Sequence, residues 1–418
     1  MKKTICIFED ENFINFLPLV YTRPVYDLRC GILTLKEKIA SHFPSYNLAL
    51  HSRKYLSSCL MEWNPKISVN KFDDREILFV NGRLIINKSI YSIIKKLKPD
   101  SALFDSSGFV IAANISANNI SSLSDDKSDF LSFGSLKKLE RVENGVKLVQ
   151  YPWELVNGNG DEIANDFIRI TKNISRPASE KFHSVEFKNR KNIFIGKEAK
   201  IDPFVYLDAS NGPIWIGKNV LIMSHSYIQG PAFIGEKSII KSGASIYHNT
   251  SIGEFCKVGG EVDSSIILSY SNKQHEGFLG HSYLGSWINI GAATNNSDLK
   301  NNYENITLLV NGKPVDSGSR FVGLSMGDHS KTAIGTLFNT GTIVGVSCNI
   351  FGAGFPSRYI PSFAWGGSDF IKQYDIRKAL QAARIVLTRR EKELTSNEEE
   401  LLKTIFELTA DERARKTK

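Results

Sequence analysis

From Ile216 onward an aliphatic residue stands at every sixth position: Ile216, Ile222, Ile228, Ile234, Ile240, Ile246, Ile252 and Val258. A slower beat overlies it, since Ile216-Gly217, Ile234-Gly235 and Ile252-Gly253 recur every 18 residues. A spacing of six is three times the two-residue period of a strand, so short strands could keep each of these side chains on one face. Eighteen is three hexads, which predicts a coil of three short strands, each supplying one inward aliphatic that stacks on its copy in the next coil. That is the mark of a parallel β-helix. The glycine beside each aliphatic is expected to supply a φ > 0 corner. The beat is prepared by Ile195-Gly196, Ile201 and Leu207, with a short insertion at 209–213. It breaks at Glu261, returns at Leu284-Gly285 and Ile290-Gly291, breaks again over 295–320, and resumes through Val322-Gly323 and Ile334-Gly335. Interruptions of a solenoid are loops on its outer face, where repeat proteins carry function.

A chain of 418 residues exceeds one ordinary core. Strand-like runs (Thr4-Phe8, Asn47-Leu50, Ile77-Val80) alternate with helix-like runs (Leu33-Ile39, Ile90-Leu97) over residues 1–180. That predicts an open, mostly parallel α/β sheet, with ligands at the carboxyl ends of its strands, in the loops after Phe8 and Val80. Residues 171–190 are polar and read as a connector, 191–366 as the β-helix, and 367–418 as helices. Ile376, Leu380, Ala383 and Leu387 share one helical face with Arg377, Lys378, Arg384, Arg389 and Arg390 around it, and Ser396 and Glu399 have capping-box spacing. This appendage is expected to cap the end of the β-helix, a basic helix for anionic partners being the alternative.

Bulk properties narrow the function. The net charge of +8 comes from dispersed Lys and Arg with no nucleic-acid module beside them, so phosphorylated small molecules are the expected anions. Five scattered cysteines without a CxxC exclude a disulfide framework and a zinc site. The apolar run near the N-terminus is too short for a signal peptide, and nowhere do about 18 apolar residues run together, so a cytoplasmic chain without a membrane span is expected.

In the first half, Arg23 and Arg29 flank a turn-rich segment, and Gly31 precedes a helix holding Lys36. Such cations suit phosphate, although stacking on Tyr21 or Tyr26, or pairing with Asp27, is the alternative use of them. Asn81-Gly82 reads as a tight turn. Asn159 and Asp161, in YPWELVNGNGDEI, could hold Mg²⁺ with substrate phosphates or could be turn and cap residues. In the second half, His275, His281 and His329 lie in or beside the two breaks.

The run HEGFLGHSYLGSWINIGAAT, from His275 to Thr294, resembles the acetyltransferase domain of the bifunctional N-acetylglucosamine-1-phosphate uridyltransferase/glucosamine-1-phosphate acetyltransferase family. LPLVYTRPVYDLRCGILTLKEKI, YPWELVNGNGDEI and GDHSKTAIGTLFNTGT extend the likeness along nearly the whole chain, as a divergent bacterial branch. The resemblance implies a nucleotidyltransferase-like (Rossmann-like) α/β domain, a left-handed parallel β-helix, and homotrimers packed through the helix sides. It implies that His275, not His281, is the general base, that Asn289 contacts substrate, and that Phe278 replaces a substrate-contacting tyrosine. Lys300 and Lys331 would bind substrate, and Arg23, Arg29 and Lys36 the nucleotide phosphates. Acetyl-CoA would acetylate an amino-sugar phosphate at the β-helix. An NTP, with UTP as the family nucleotide, would combine with a sugar 1-phosphate and Mg²⁺ in the first domain. The chain departs from the family where FEDENFINF replaces a Gly-rich phosphate loop, where Asn81-Gly82-Arg83 replaces a metal-binding aspartate, and where Asp263 replaces a phosphate-binding lysine. Lys273, Lys300, Arg320 and Lys331 are candidates to restore that charge. With these departures, one active half or a non-catalytic, sugar-nucleotide-binding scaffold is the alternative.

Overall fold

The computed structural model describes residues 3–72, 76–123, 128–136, 139–143, 145–172 and 182–416, so residues 173–181 of the expected connector lie outside the described residues. The first half is a seven-stranded sheet made of β1 (Thr4–Phe8), β2 (Asn47–His51), β3 (Ser68–Val69), β4 (Ile77–Asn81), β5 (Ser101–Phe104), β6 (Val110–Ile115) and β7 (Glu140–Glu143). Its order is β3-β2-β1-β4-β6-β5-β7. β1 lies parallel to both β2 and β4, whereas β6 runs antiparallel to β4 and β5. The strand order reverses between β1 and β4, and Phe8 and Asn81 stand side by side at that switch point. β4 is buried along its whole length, as a strand covered on both faces must be.

Helix α1 (Leu35–His42) starts two residues later than its apolar pattern suggests. Thr34 caps it, accepting from Glu37 N–H at 3.2 Å while Glu37 accepts from Thr34 N–H at 2.7 Å. Further helices are α2 (Ser57–Trp63), α3 (Lys88–Ile94), α4 (Ala117–Ile120), α5 (Pro152–Asn157) and α6 (Asn159–Thr171).

The second half is the expected parallel β-helix. Three parallel ladders run from residue 186 to residue 366, and all eight aliphatics of the hexad run are fully buried in one core. The breaks differ from expectation in kind. Past Glu261 the coils continue, shortened: Val258 pairs in register with Lys273, and Ile252 with Ile267, fifteen residues on. The true excursion is 295–320, which carries an antiparallel hairpin of Thr307–Val310 and Lys313–Asp316. The glycines also work differently from expectation. Gly217, Gly235 and Gly253 do not have positive φ; the left-handed corner falls two residues later, on Asn219, Lys237 and Phe255. What those glycines supply is room: a Cβ on Gly235 would stand 2.5 Å from the Gly253 carbonyl carbon of the next coil.

The C-terminal helices correct the sequence reading twice. The capping box of α8 (Ser396–Leu408) is Thr395 with Glu398, one residue earlier than Ser396 with Glu399 and at the same spacing. Neither α7 (Ile376–Thr388) nor α8 caps the end of the β-helix. Leu380, Ala383, Leu401, Leu402 and Ile405 share one apolar cluster with Leu56 and Leu60 of the first half and with Val346 and Phe363 of the β-helix. The pair is a wedge along the flank, covering apolar surface that both halves present there. Among the described residues no helix is long and apolar enough to cross a membrane.

Candidate active site

The carboxyl ends of β1 and β4 open into a cavity of about 660 Å³ bordered by Phe8, Asp10, Glu11, Asn81, Phe104, Phe109 and Arg141. Arg23, Arg29 and Lys36 do not line it. Each is taken by a carboxylate elsewhere. Arg23 pairs with the buried Asp328, which also accepts from the Thr22 hydroxyl at 2.8 Å and the Ser286 N–H at 2.9 Å. Arg29 reaches Glu254 at 2.8 Å and lies over the Phe233 ring, and Lys36 reaches Asp27 at 2.6 Å. The Tyr283 hydroxyl accepts from the Arg29 N–H at 2.8 Å and donates to the Arg29 carbonyl at 2.9 Å. The segment expected to grip phosphate therefore clamps the α/β half to the β-helix. Sequence proximity could not show that its carboxylate partners lie 225 and 305 residues away.

Asn159 belongs to the same joint. Its side-chain oxygen accepts from Gly31 N–H at 2.7 Å and Ser251 O–H at 3.1 Å, and its amide donates to the Asn249 carbonyl at 2.7 Å. With its hydrogen-bonding groups committed, Asn159 is a brace rather than a metal ligand, and Asp161 lies exposed on the first turn of α6. At the strand ends, Asp10 is saturated by Arg83 (Nε at 2.9 Å, Nη2 at 2.6 Å), Asn81 Nδ2 at 2.8 Å and Asn12 N–H at 3.2 Å. Among the described residues no group of three or more His, Cys, Asp or Glu is placed to hold a metal, and the Asp10 carboxylate is already committed to Arg83, Asn81 and Asn12.

On the β-helix, His275 is exposed in the turn between strand Asn272–Lys273 and strand Phe278–Gly280. Its carbonyl is held from below. Lys273 occupies a core position, in register with Val258, and its ammonium donates to the Gly259 and His275 carbonyls, both at 2.9 Å. Burial is the larger cause that pulls the Lys273 ammonium down to about 8, against the opposing pull of Glu276 and Glu261. Phe278 is half-buried and donates its N–H to Asn295 at 2.7 Å. Asp263 pairs with His248 at 3.2 Å, and Lys300 is held within its own loop, donating to the Asn305 carbonyl at 2.8 Å.

Asn289 and Lys331 come together. A single outward row passes from Lys257 through Asn272 and Asn289 to Lys331 across adjacent coils. Helix α7 lies over that row, leaving a cleft of about 250 Å³ lined by Asn289, Lys331, Gln274, Lys257, Arg389 and Arg390 among others. Gln274 immediately precedes His275. The arginines were legible as part of a basic helix but not as part of this site, for they stand about a hundred residues from Asn289 and only the return of α7 brings them near. His281, set aside in favour of His275 on the resemblance, is differently placed. Its Nδ1 lies 2.8 Å from the Asp298 carboxylate, and its ring stacks on Phe321 with centroids 4.9 Å apart. His281 thus has an orienting carboxylate, as His248 has in Asp263, and His275 forms no such pair with a described residue.

Residues 5–175 match the model of a sugar nucleotidyl transferase family.

Among curated proteins, the chain is similar to a bifunctional sugar-1-phosphate nucleotidylyltransferase/acetyltransferase of Sulfurisphaera tokodaii, 25% identical over 221 residues, 50% of this chain and 48% of the relative. It is similar to the bifunctional protein GlmU of Methanococcus vannielii, 30% identical over 123 residues, 28% of each chain. The chain spans about half, or less, of the length of these relatives. Among solved structures, a UDP-N-acetylglucosamine acyltransferase from Campylobacter jejuni aligns over 54% of this chain and 95% of its own, at 14% identity and a TM-score of 0.27.

Proposed function

We propose that the β-helix transfers an acetyl group from acetyl-CoA to the amine of an amino-sugar phosphate or its nucleotide derivative. The observation that carries this is the convergence at one cleft of Asn289, Lys331 and the turn bearing His275. His275 acts as general base, worth typically about 10²–10⁴ in rate, taking the proton as the amine attacks the thioester carbon. The tetrahedral oxyanion is met by Asn289 or a backbone N–H, and thiolate departure completes the exchange. The Lys273 ammonium fixes the turn from which His275 projects. The Asp298 carboxylate beside His281 favours a second assignment of the base, His281, and paired variants separate the two. His275→Ala is expected to abolish acetyl-CoA-dependent thiol release while His281→Ala retains it; the reverse result assigns the base to His281, and full activity in both removes acyl transfer from this site. A homotrimer packed through the β-helix sides belongs to the same proposal, and light scattering on purified protein tests it.

The match of residues 5–175 supports a second activity, formation of an NDP-sugar and pyrophosphate from an NTP and a sugar 1-phosphate. UTP and Mg²⁺ are the family's expectation for it. Because Asp10 is saturated by Arg83, Asn81 and Asn12, no step through a metal follows from these residues. Pyrophosphate release across a panel of NTPs tests this activity; its absence leaves the α/β half as a binding module joined to an acyltransferase.

A further inference from the structure

The cleft beneath α7 carries four cations, Lys257, Lys331, Arg389 and Arg390, and no acidic residue lines it. Elsewhere Arg23, Arg29, Lys38, Arg53 and Arg83 each meet a carboxylate, while the buried Lys273 is held by two carbonyls. Here none meets the carboxylate of a described residue. Arg390 donates to Asn272 at 3.0 Å and Lys331 to the His329 carbonyl at 2.9 Å. The side chains of Lys257 and Arg389 make no hydrogen bond or ion pair with a described residue. The C-terminal end of α7 accounts for about half a unit of opposite charge, which leaves most of the four unbalanced. Burial first, and then the neighbouring Arg390, Lys241 and Arg389, push the Lys257 ammonium below its usual range. Like charges gathered around one cleft repel, and an anion among them relieves that repulsion.

We infer that this cleft is a diphosphate site, built from the outward row of the β-helix and closed by the last turn of α7. Two planar guanidinium forks and two ammonium points match a group with many oxygens and about three negative charges. Asn289 and Gln274 add uncharged donors at the end toward His275. At the other end, Tyr270 and Trp287 border both this cleft and a groove of about 690 Å³. There the rings of Tyr270 and Trp287 stack with centroids 4.3 Å apart, in a column that continues to Phe255 at 4.9 Å, and their apolar edges border the groove beside the cationic seat. A diphosphate flanked by a planar base is the chemistry of a nucleotide diphosphate ester, which CoA and a nucleotide-activated sugar share. In taking the diphosphate to be a nucleotide's, the proposal rests on the acyl-transfer function above.

Calorimetric titration with inorganic pyrophosphate, then with CoA and with UDP-N-acetylglucosamine, tests it on the full chain. Saturable pyrophosphate binding is expected, weakened about tenfold or more in Lys257→Gln and in Arg389→Gln/Arg390→Gln, the latter two sites being surface positions whose folding is checked by an unchanged Tm. Competition by CoA identifies the acyl donor as the occupant, and competition by the UDP-sugar identifies the acceptor. Pyrophosphate binding that both variants retain at wild-type strength, or no binding to wild type, overturns the site. Pyrophosphate binding with which neither nucleotide competes overturns the nucleotide assignment. His275→Ala separates the two proposals, since it should bind pyrophosphate normally while losing acyl transfer; retained acyl transfer there counts against the base and leaves the diphosphate site standing.

Discussion

Asp328 illustrates how much one side chain can settle. It sits two residues after Met326, whose side chain is in the β-helix core, yet its carboxylate serves Thr22 and Arg23 from the opposite half of the chain. Replacing it strands a largely buried guanidinium, so Asp328→Ala should lower stability by about 3–5 kcal/mol in chemical denaturation. The next residue, His329, has a buried Nδ1 without a partner, and burial pushes its imidazolium down to about 4. The folded state therefore keeps His329 neutral between pH 6.5 and 4, while the unfolded chain takes up a proton. Stability should fall as pH drops through that window, with His329 contributing on the order of 2–3 kcal/mol. His329→Phe should flatten the slope; an unchanged pH dependence would show that the ring takes up a proton in the folded state. Neither role is legible in GDHSKT, because both depend on what packs against it.

At the scale of elements, the hexad beat was the most legible feature of the chain. An aliphatic at every sixth residue has no other economical home than the inside of a three-sided coil, and Ile216 to Val258 went there. The adjoining glycines were legible as necessary but not for the right reason. Gly235 is required for clearance between coils, whereas Gly243 has φ +71° with nothing within 4 Å of a built Cβ. The two should respond differently. Gly243→Ala should cost about 1–2 kcal/mol of conformational strain, most of it recovered in Gly243→Asn, since asparagine tolerates the left-handed region. Gly235→Ala should cost about 1–3 kcal/mol through steric clash, and Gly235→Asn should recover none of it. Denaturation midpoints of the four variants check this. The capping box moved by one residue for a simple reason: Thr395/Glu398 and Ser396/Glu399 offer the same chemistry at the same spacing, and only the backbone path chooses between them.

At the scale of the whole molecule, the halves are not beads on a string. Leu19, Val25 and Leu28 share a core with Ile266, Leu268 and Tyr283, and the α7–α8 wedge joins both halves in another. Calorimetry should accordingly show one cooperative unfolding transition, which Asp328→Ala should begin to split; two well-separated transitions in the wild type would contradict a shared core. The sequence by itself determined the periodic part of this protein, the β-helix, the α/β alternation and the run around His275, because strand and helix periods are local properties written in consecutive residues. The tertiary structure alone decided the uses of its charges. Arg23 and Arg29 became a clamp because Asp328 and Glu254 fold beneath them, and Arg389 and Arg390 gathered over Asn289 and Lys331 because α7 turns back along the flank. A charge acquires its role from whatever neutralises it, and that partner is chosen by the fold.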